Sequence, residues 1–131
     1  MISPSEIKVG IVAEQGLDIW SALTCLKQSG CVEENIVVKY VPPFQLALGV
    51  LFFAEYTDVD GVIVVGEEFD TNIAKSLHEL QIQWNMPVEY RYNGSKTGDD
   101  CGLVDMIQLQ SEMAGELPEE KSPASRRENI N

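Results

Sequence analysis

Two acidic runs, one cysteine and one histidine are the residues of this chain whose types and spacing could do chemistry. Glu67, Glu68 and Asp70 fall in one short stretch, and Asp99 and Asp100 directly precede Cys101. A hard divalent cation takes several carboxylate oxygens at once. Neither run has the spacing of a calcium loop, so both read as solvated acidic loops and no metal is expected. Cys101 precedes an apolar segment with helical periodicity, and a helix start favours the thiolate. A buried, inert thiol is the plainer reading of the same position. His78 is the single histidine. It falls in the middle of a helical pattern and reads as an ordinary surface residue. The chain has no CxxC pair, P-loop, GxGxxG or GxSxG, so zinc, nucleotide-phosphate and serine-nucleophile chemistry are not expected.

The whole chain has 131 residues and a net charge of −12, with 44% apolar residues. That length predicts one domain with a real core. The negative charge argues against nucleic acid and against anionic membrane surfaces. No apolar run is long enough to span a membrane, and no basic segment followed by an apolar run opens the chain. Three cysteines, an odd count, fit reduced thiols. A cytoplasmic protein is the expectation.

The elements that must position these residues alternate. Strands are predicted over 7–13, 36–41, 61–66 and 87–92, where apolar and β-branched residues run between turn signals. Helices are predicted over 17–29, 46–54, 71–85 and 103–114. Leu17, Trp20, Leu23, Leu26 and Lys27 make one stripe on the first. Ile73, Leu77, Leu80 and Trp84 make one on the third, which Asp70 could cap and which leaves Ile82 on its far side. On the last, Leu103, Met106, Ile107 and Met113 are predicted to face inward, and Gly115 to end it. Residues 93–100 read as a loop. The βαβαβαβα order predicts a three-layer α/β/α sandwich on a four-stranded parallel sheet, flavodoxin-like in topology, over residues 1–115. Residues 116–131 are polar and read as a disordered tail.

The second helix is the segment around which this order is built. Leu46, Ala47, Leu48, Val50, Leu51, Phe52, Phe53 and Ala54 leave almost no polar face. A helix apolar all round needs cover on every side. It is therefore either a central core helix or part of a subunit interface. Ligands of such sheets bind at the carboxyl ends of the strands. The loops to inspect are 14–16, 42–45, 66–70 and 92–100.

At these loops the chain resembles the lumazine synthase family. VPPFQL at 41–46 resembles the family's VPGAFELP with one residue missing. YTDVDGVIVVG at 56–66 resembles GxYDAVIALG, and KVGIVA at 8–13 its first strand. GSKTG at 94–98 resembles AGTKAGNKG, and QSEM at 110–113 the closing ALEM. The resemblance implies lumazine synthase topology and a homo-oligomer, a pentamer or a larger shell built from pentamers. A mixed assembly with a catalytic paralogue is one version of it. The resemblance also implies site residues. Gln15 stands where the family's ARFN carries the aromatic residue that covers the pyrimidine ring, with Trp20 a turn later. Phe44 and Gln45 stand for the Phe-Glu pair that holds the ribityl chain. Gly66 opens the loop that contacts the ring, and Arg91 and Lys96 are nearest to the phosphate-binding positions. The family's long GCVIRGETxHFDYV-like stretch, with its proton-shuttling histidine, has no counterpart after Gly66, so no catalytic residue is assigned.

Three functions are compatible with this pattern. The first is a catalytically impaired homologue related to riboflavin biosynthesis that acts through oligomeric assembly. The second is an active, divergent 6,7-dimethyl-8-ribityllumazine synthase, a transferase condensing 5-amino-6-ribitylaminouracil with 3,4-dihydroxy-2-butanone 4-phosphate largely by proximity. The third is a flavin- or pteridine-binding module using Phe44 and Gln45. No bound cofactor is expected.

Overall fold

The computed structural model describes residues 2–67, 71–92 and 101–115. The elements follow the expected alternation: β1 (Val9–Glu14), α1 (Trp20–Gln28), β2 (Ile36–Val41), α2 (Leu46–Tyr56), β3 (Gly61–Gly66), α3 (Thr71–Trp84), β4 (Val88–Tyr92) and α4 (Gly102–Ala114). The strands form one sheet in the order β2-β1-β3-β4. Every pairing is parallel. The two central strands are buried along their whole length. That is why both read as near-continuous apolar runs rather than as alternating ones.

Side-chain alternation along these strands divides the core in two. Val9, Ile11 and Ala13 of β1, with Ile63 and Val65 of β3, pack among residues of α1 and α4. Val12 of β1, with Val62 and Val64 of β3, packs among residues of α2 and α3. Two glycines let α2 lie close on β1. A Cβ on Gly10 would stand 2.7 Å from the Phe53 ring, and one on Gly49 would run into Val12. Overpacking of this kind typically costs about 1–3 kcal/mol.

The element ends differ from the sequence reading for local reasons. A short 3-10 turn at Pro4–Glu6 takes the Ile7 N–H onto the Pro4 carbonyl, so β1 starts at Val9. α1 starts at Trp20, whose N–H donates to Asp18 Oδ1 at 2.8 Å. Leu17 and Ile19 still pack on the core, from the loop before the helix.

Two helix faces are corrected. The buried side of α1 is Ala22, Cys25 and Leu26, whereas Trp20 is 67% exposed. Trp20 is the first residue of the helix, with no preceding turn to pack beside. On α4 the buried residues are Leu103, Val104 and Ile107, and Met113 points outward. α3 is as predicted, with Ile73, Leu77, Leu80 and Trp84 on the core and Ile82 exposed.

The Asp70 cap, the loop 93–100 with Lys96, and the segment 116–131 lie outside the described residues. Among the described residues no helix is long and apolar enough to cross a membrane.

Candidate functional site at the carboxyl edge of the sheet

β1 and β3 occupy the middle of the sheet, so their carboxyl ends and those of their neighbours form a continuous edge. Gln15 leaves that edge with its N–H donating to the Val41 carbonyl at 2.8 Å. This extends the β1–β2 pairing by one residue and brings the loops after both strands together. The chain after β2 turns at once. The Gln45 N–H donates to the Pro42 carbonyl at 3.1 Å, with Pro43 and Phe44 between them. Phe44 has φ 69°. This is a type II turn, with proline at its second position and a positive φ at its third. Glycine normally fills that third position, and a bulky residue there is strained by about 1–2 kcal/mol. Such strain persists only where the surroundings hold it.

Glu14 is what holds it. This carboxylate ends β1 and is only 9% exposed. Its Oε2 accepts the Phe44 N–H at 2.9 Å, and its Oε1 accepts the Glu67 N–H at 3.0 Å. One side chain therefore ties together the loops that follow β2 and β3. The sequence reading placed Glu14 in the loop 14–16 and assigned it no role. The signal was an acid ending an apolar central strand, where two neighbouring loops begin with unpaired backbone N–H groups.

The consequence for Phe44 is a ring held outward. It is 77% exposed, on a backbone fixed from beneath. Gln15 and Gln45 are exposed beside it, and Trp20 presents its ring at the start of α1. Gly66 lies on the α2/α3 side of the sheet, against Tyr90. A Cβ at Gly66 would stand 2.5 Å from the Tyr90 hydroxyl, so only glycine lets Tyr90 lie there. The edge thus offers exposed aromatic faces, two amides, a phenol and accessible backbone. The chemistry of such a set suits a planar molecule bearing hydroxyls or amides. Both oxygens of Glu14 are already engaged, and His78 is exposed along α3.

Phe44→Gly separates the ring from the strain. Glycine takes the positive φ freely, so the variant should be more stable by about 1 kcal/mol. It should lose affinity for any ligand that stacks on the ring. Urea unfolding checks the first effect, and ligand quenching of tryptophan fluorescence the second.

Arg91 is placed elsewhere. It pairs in register with Val65, on the α1/α4 side, opposite to the face that Gly66 presents to Tyr90. It is buried. Its Nη1 donates to Ser21 Oγ of α1 at 3.0 Å, and its Nη2 lies 3.8 Å from Glu89 Oε1. Glu89 in turn accepts the Leu103 N–H through Oε2 at 3.3 Å. Burial pushes the Glu89 carboxyl above its ordinary range, with Arg91 and the first N–H groups of α4 opposing the shift. The guanidinium is thus engaged inside the protein by Ser21 of α1 and Glu89 of β4. Among the described residues no three histidine, cysteine or acidic side chains are grouped to hold a metal ion.

These features define an α/β protein with exposed aromatic and amide side chains at the carboxyl ends of its parallel strands. No protein-family model matches the chain. Individual proteins do. It is 37% identical over 101 residues to the 6,7-dimethyl-8-ribityllumazine synthase of Bacteroides fragilis (strain YCH46), covering 64% of this chain and 71% of that protein. It is 34% identical over 100 residues to the 6,7-dimethyl-8-ribityllumazine synthase of Parabacteroides distasonis, covering 63% of this chain and 62% of that protein. The chain belongs to the lumazine synthase family. Its four-stranded parallel sheet is the fold expected of a member.

Proposed function

We propose that this chain is an assembly-forming lumazine synthase homologue, related to riboflavin biosynthesis, in which the condensation chemistry is impaired. One observation carries the reading. α2 turns an apolar stripe outward, with Leu48 60% and Tyr56 72% exposed and Phe52 between them. These residues lie one helical turn apart and share a face. Beside them runs β2, an edge strand of the sheet, with Val37 and Tyr40 also exposed. Lys39 and Val41 of that strand, with Leu48, Phe52, Glu55 and Tyr56 of α2, line a groove of about 490 Å³. A contiguous apolar surface of this kind beside an open sheet edge marks an interaction site. A second copy of the chain is the occupant that the family resemblance implies, in a pentamer or larger assembly.

Impairment is supported from the other end of the molecule. Only residues 67–70 separate β3 from α3, and the chain's one histidine stands exposed on α3. Arg91, the residue nearest to a phosphate-binding position, is engaged by Ser21 and Glu89. Phe44 and Gly66 remain, so the edge keeps the means to bind a lumazine-like ring, while among its described residues there is no histidine to move protons.

Light scattering tests the assembly. The purified chain should have a mass several times its 14.5 kDa. Leu48→Glu and Tyr56→Glu should each shift it toward the monomer while leaving the circular dichroism unchanged. A wild-type mass equal to one chain would overturn the proposal.

A further inference from the structure

The two thiols of Cys25 and Cys101 are in contact inside the core. Their sulfurs lie 2.9 Å apart, across 76 positions of sequence. Both are buried and neither is in a disulfide. Each sits on an element held by other bonds. Cys25 is on the buried face of α1, and its Sγ also reaches the Ala22 carbonyl at 3.3 Å. Cys101 caps the start of α4, where its carbonyl accepts the Val104 N–H at 3.1 Å. A third thiol, Cys31, is buried in the same cluster. Nothing in the edge site described above uses any of the three.

We propose that Cys25 and Cys101 form a dithiol site that a small hydroperoxide oxidises to an intramolecular disulfide joining α1 to α4. The geometry asks for little movement. An S–S bond of about 2.0 Å needs the sulfurs to approach by roughly 1 Å. Cys101 is the sulfur that reacts first. The hydrogen bond from Cys25 holds its thiol below the ordinary range, against burial, and the helix start and Arg91 act the same way. The same hydrogen bond, with burial, raises the Cys25 thiol, which therefore keeps its proton. Burial pushes the Cys31 thiol up to about 11, so it stays protonated and less reactive than Cys101.

The step balances in two stages. The Cys101 thiolate attacks one peroxide oxygen, the O–O bond breaks, and hydroxide leaves; Cys101 becomes a sulfenic acid and the peroxide is reduced. The Cys25 sulfur then displaces the sulfenic oxygen. The S–S bond forms, and the Cys25 proton leaves with that oxygen as water.

Hydrogen peroxide on the folded, full-length chain tests this, followed by denaturation and thiol titration. Two of the three thiols should disappear, and the mass should fall by two hydrogens. A non-reducing peptide map should join the peptide containing Cys25 to that containing Cys101. A cross-link across so long a span should raise the thermal midpoint by about 10 °C or more, reversibly with dithiothreitol. Cys31→Ser, outside the pair, should behave as wild type. In Cys25→Ser, Cys101 should accumulate as a sulfenic acid that dimedone traps. Three titratable thiols remaining after peroxide, when the urea-unfolded chain oxidises under the same treatment, would overturn the proposal. So would a map joining Cys31 to either partner. Both decisive results come from the wild-type chain, so they stand even if a variant fails to fold.

Discussion

Arg91→Met is expected to destabilise the protein by about 3 kcal/mol at neutral pH, and by much less in acid. The loss arises from what the substitution leaves behind. Arg91 is buried between β4 and α1, and Glu89 faces it on the same strand side. Methionine fills most of the volume but strands a carboxylate in the core. The sign with pH follows from the shift. Glu89 titrates above its ordinary 4.5 in the folded protein because burial disfavours its charged form. A group raised in this way contributes stability that is fully present below the unfolded value and is lost as pH rises through the folded one. Arg91 opposes that rise, so removing it lifts the folded value further. The variant should therefore match wild type most closely below 4.5 and fall away from it as the pH rises. Urea midpoints across a pH series measure this. Equal losses in acid and at neutrality would show that Arg91 stabilises by packing alone. The double variant Arg91→Met, Glu89→Gln should recover much of the loss, because no buried charge remains.

Glu14→Ala is the second large effect, again about 3 kcal/mol, from two charge-assisted hydrogen bonds to part-buried backbone N–H groups. The consequence is local as well as global. Without the carboxylate nothing on β1 fixes Phe44 in its left-handed conformation or ties Glu67 to the same point. The turn after β2 should relax to a negative φ and carry the ring away from the edge. Ligand affinity should then fall together with stability. Glu14→Gln keeps one acceptor oxygen and sets an amide NH₂ against the other donor, so it should fall between the two. Adding Phe44→Gly to Glu14→Ala should return far less than the about 1 kcal/mol it gives in the wild type, since the turn has already relaxed and no strain remains to relieve. Urea unfolding of the four proteins closes that cycle. Independent, additive losses would mean that Glu14 does not hold the turn.

The order of elements was open to reading because the central strands are β-branched runs and the helices carry stripes at helical spacing. Ile73, Leu77, Leu80 and Trp84 behave on α3 as their spacing requires. Trp20 and Met113 do not, since each sits at a helix end where one side has no turn to pack beside. Periodicity places interior residues well and terminal ones poorly. The site was less legible. Phe44 and Gly66 could be named from resemblance, but Glu14 could not, because Glu14-Gln15-Gly16 reads equally well as a turn. Its role depends on two loops arriving from distant parts of the chain. Arg91 carried a usable signal. Glu89 and Arg91 are two apart on a strand and so share a face, and the alternating Val88 and Tyr90 occupy the other. The parity of β4, rather than its distance from the following loop, decides which way the guanidinium points.

The proposal that the condensation is impaired is tested most directly by one rate. The assembled protein would be mixed with 5-amino-6-ribitylaminouracil and 3,4-dihydroxy-2-butanone 4-phosphate, and lumazine fluorescence followed against the spontaneous reaction. The account predicts a rate equal to the background, from protein whose circular dichroism and particle mass show it folded and assembled. A rate clearly above background, lost in Phe44→Ala, would contradict it and make the chain an enzyme that works by holding its two substrates together.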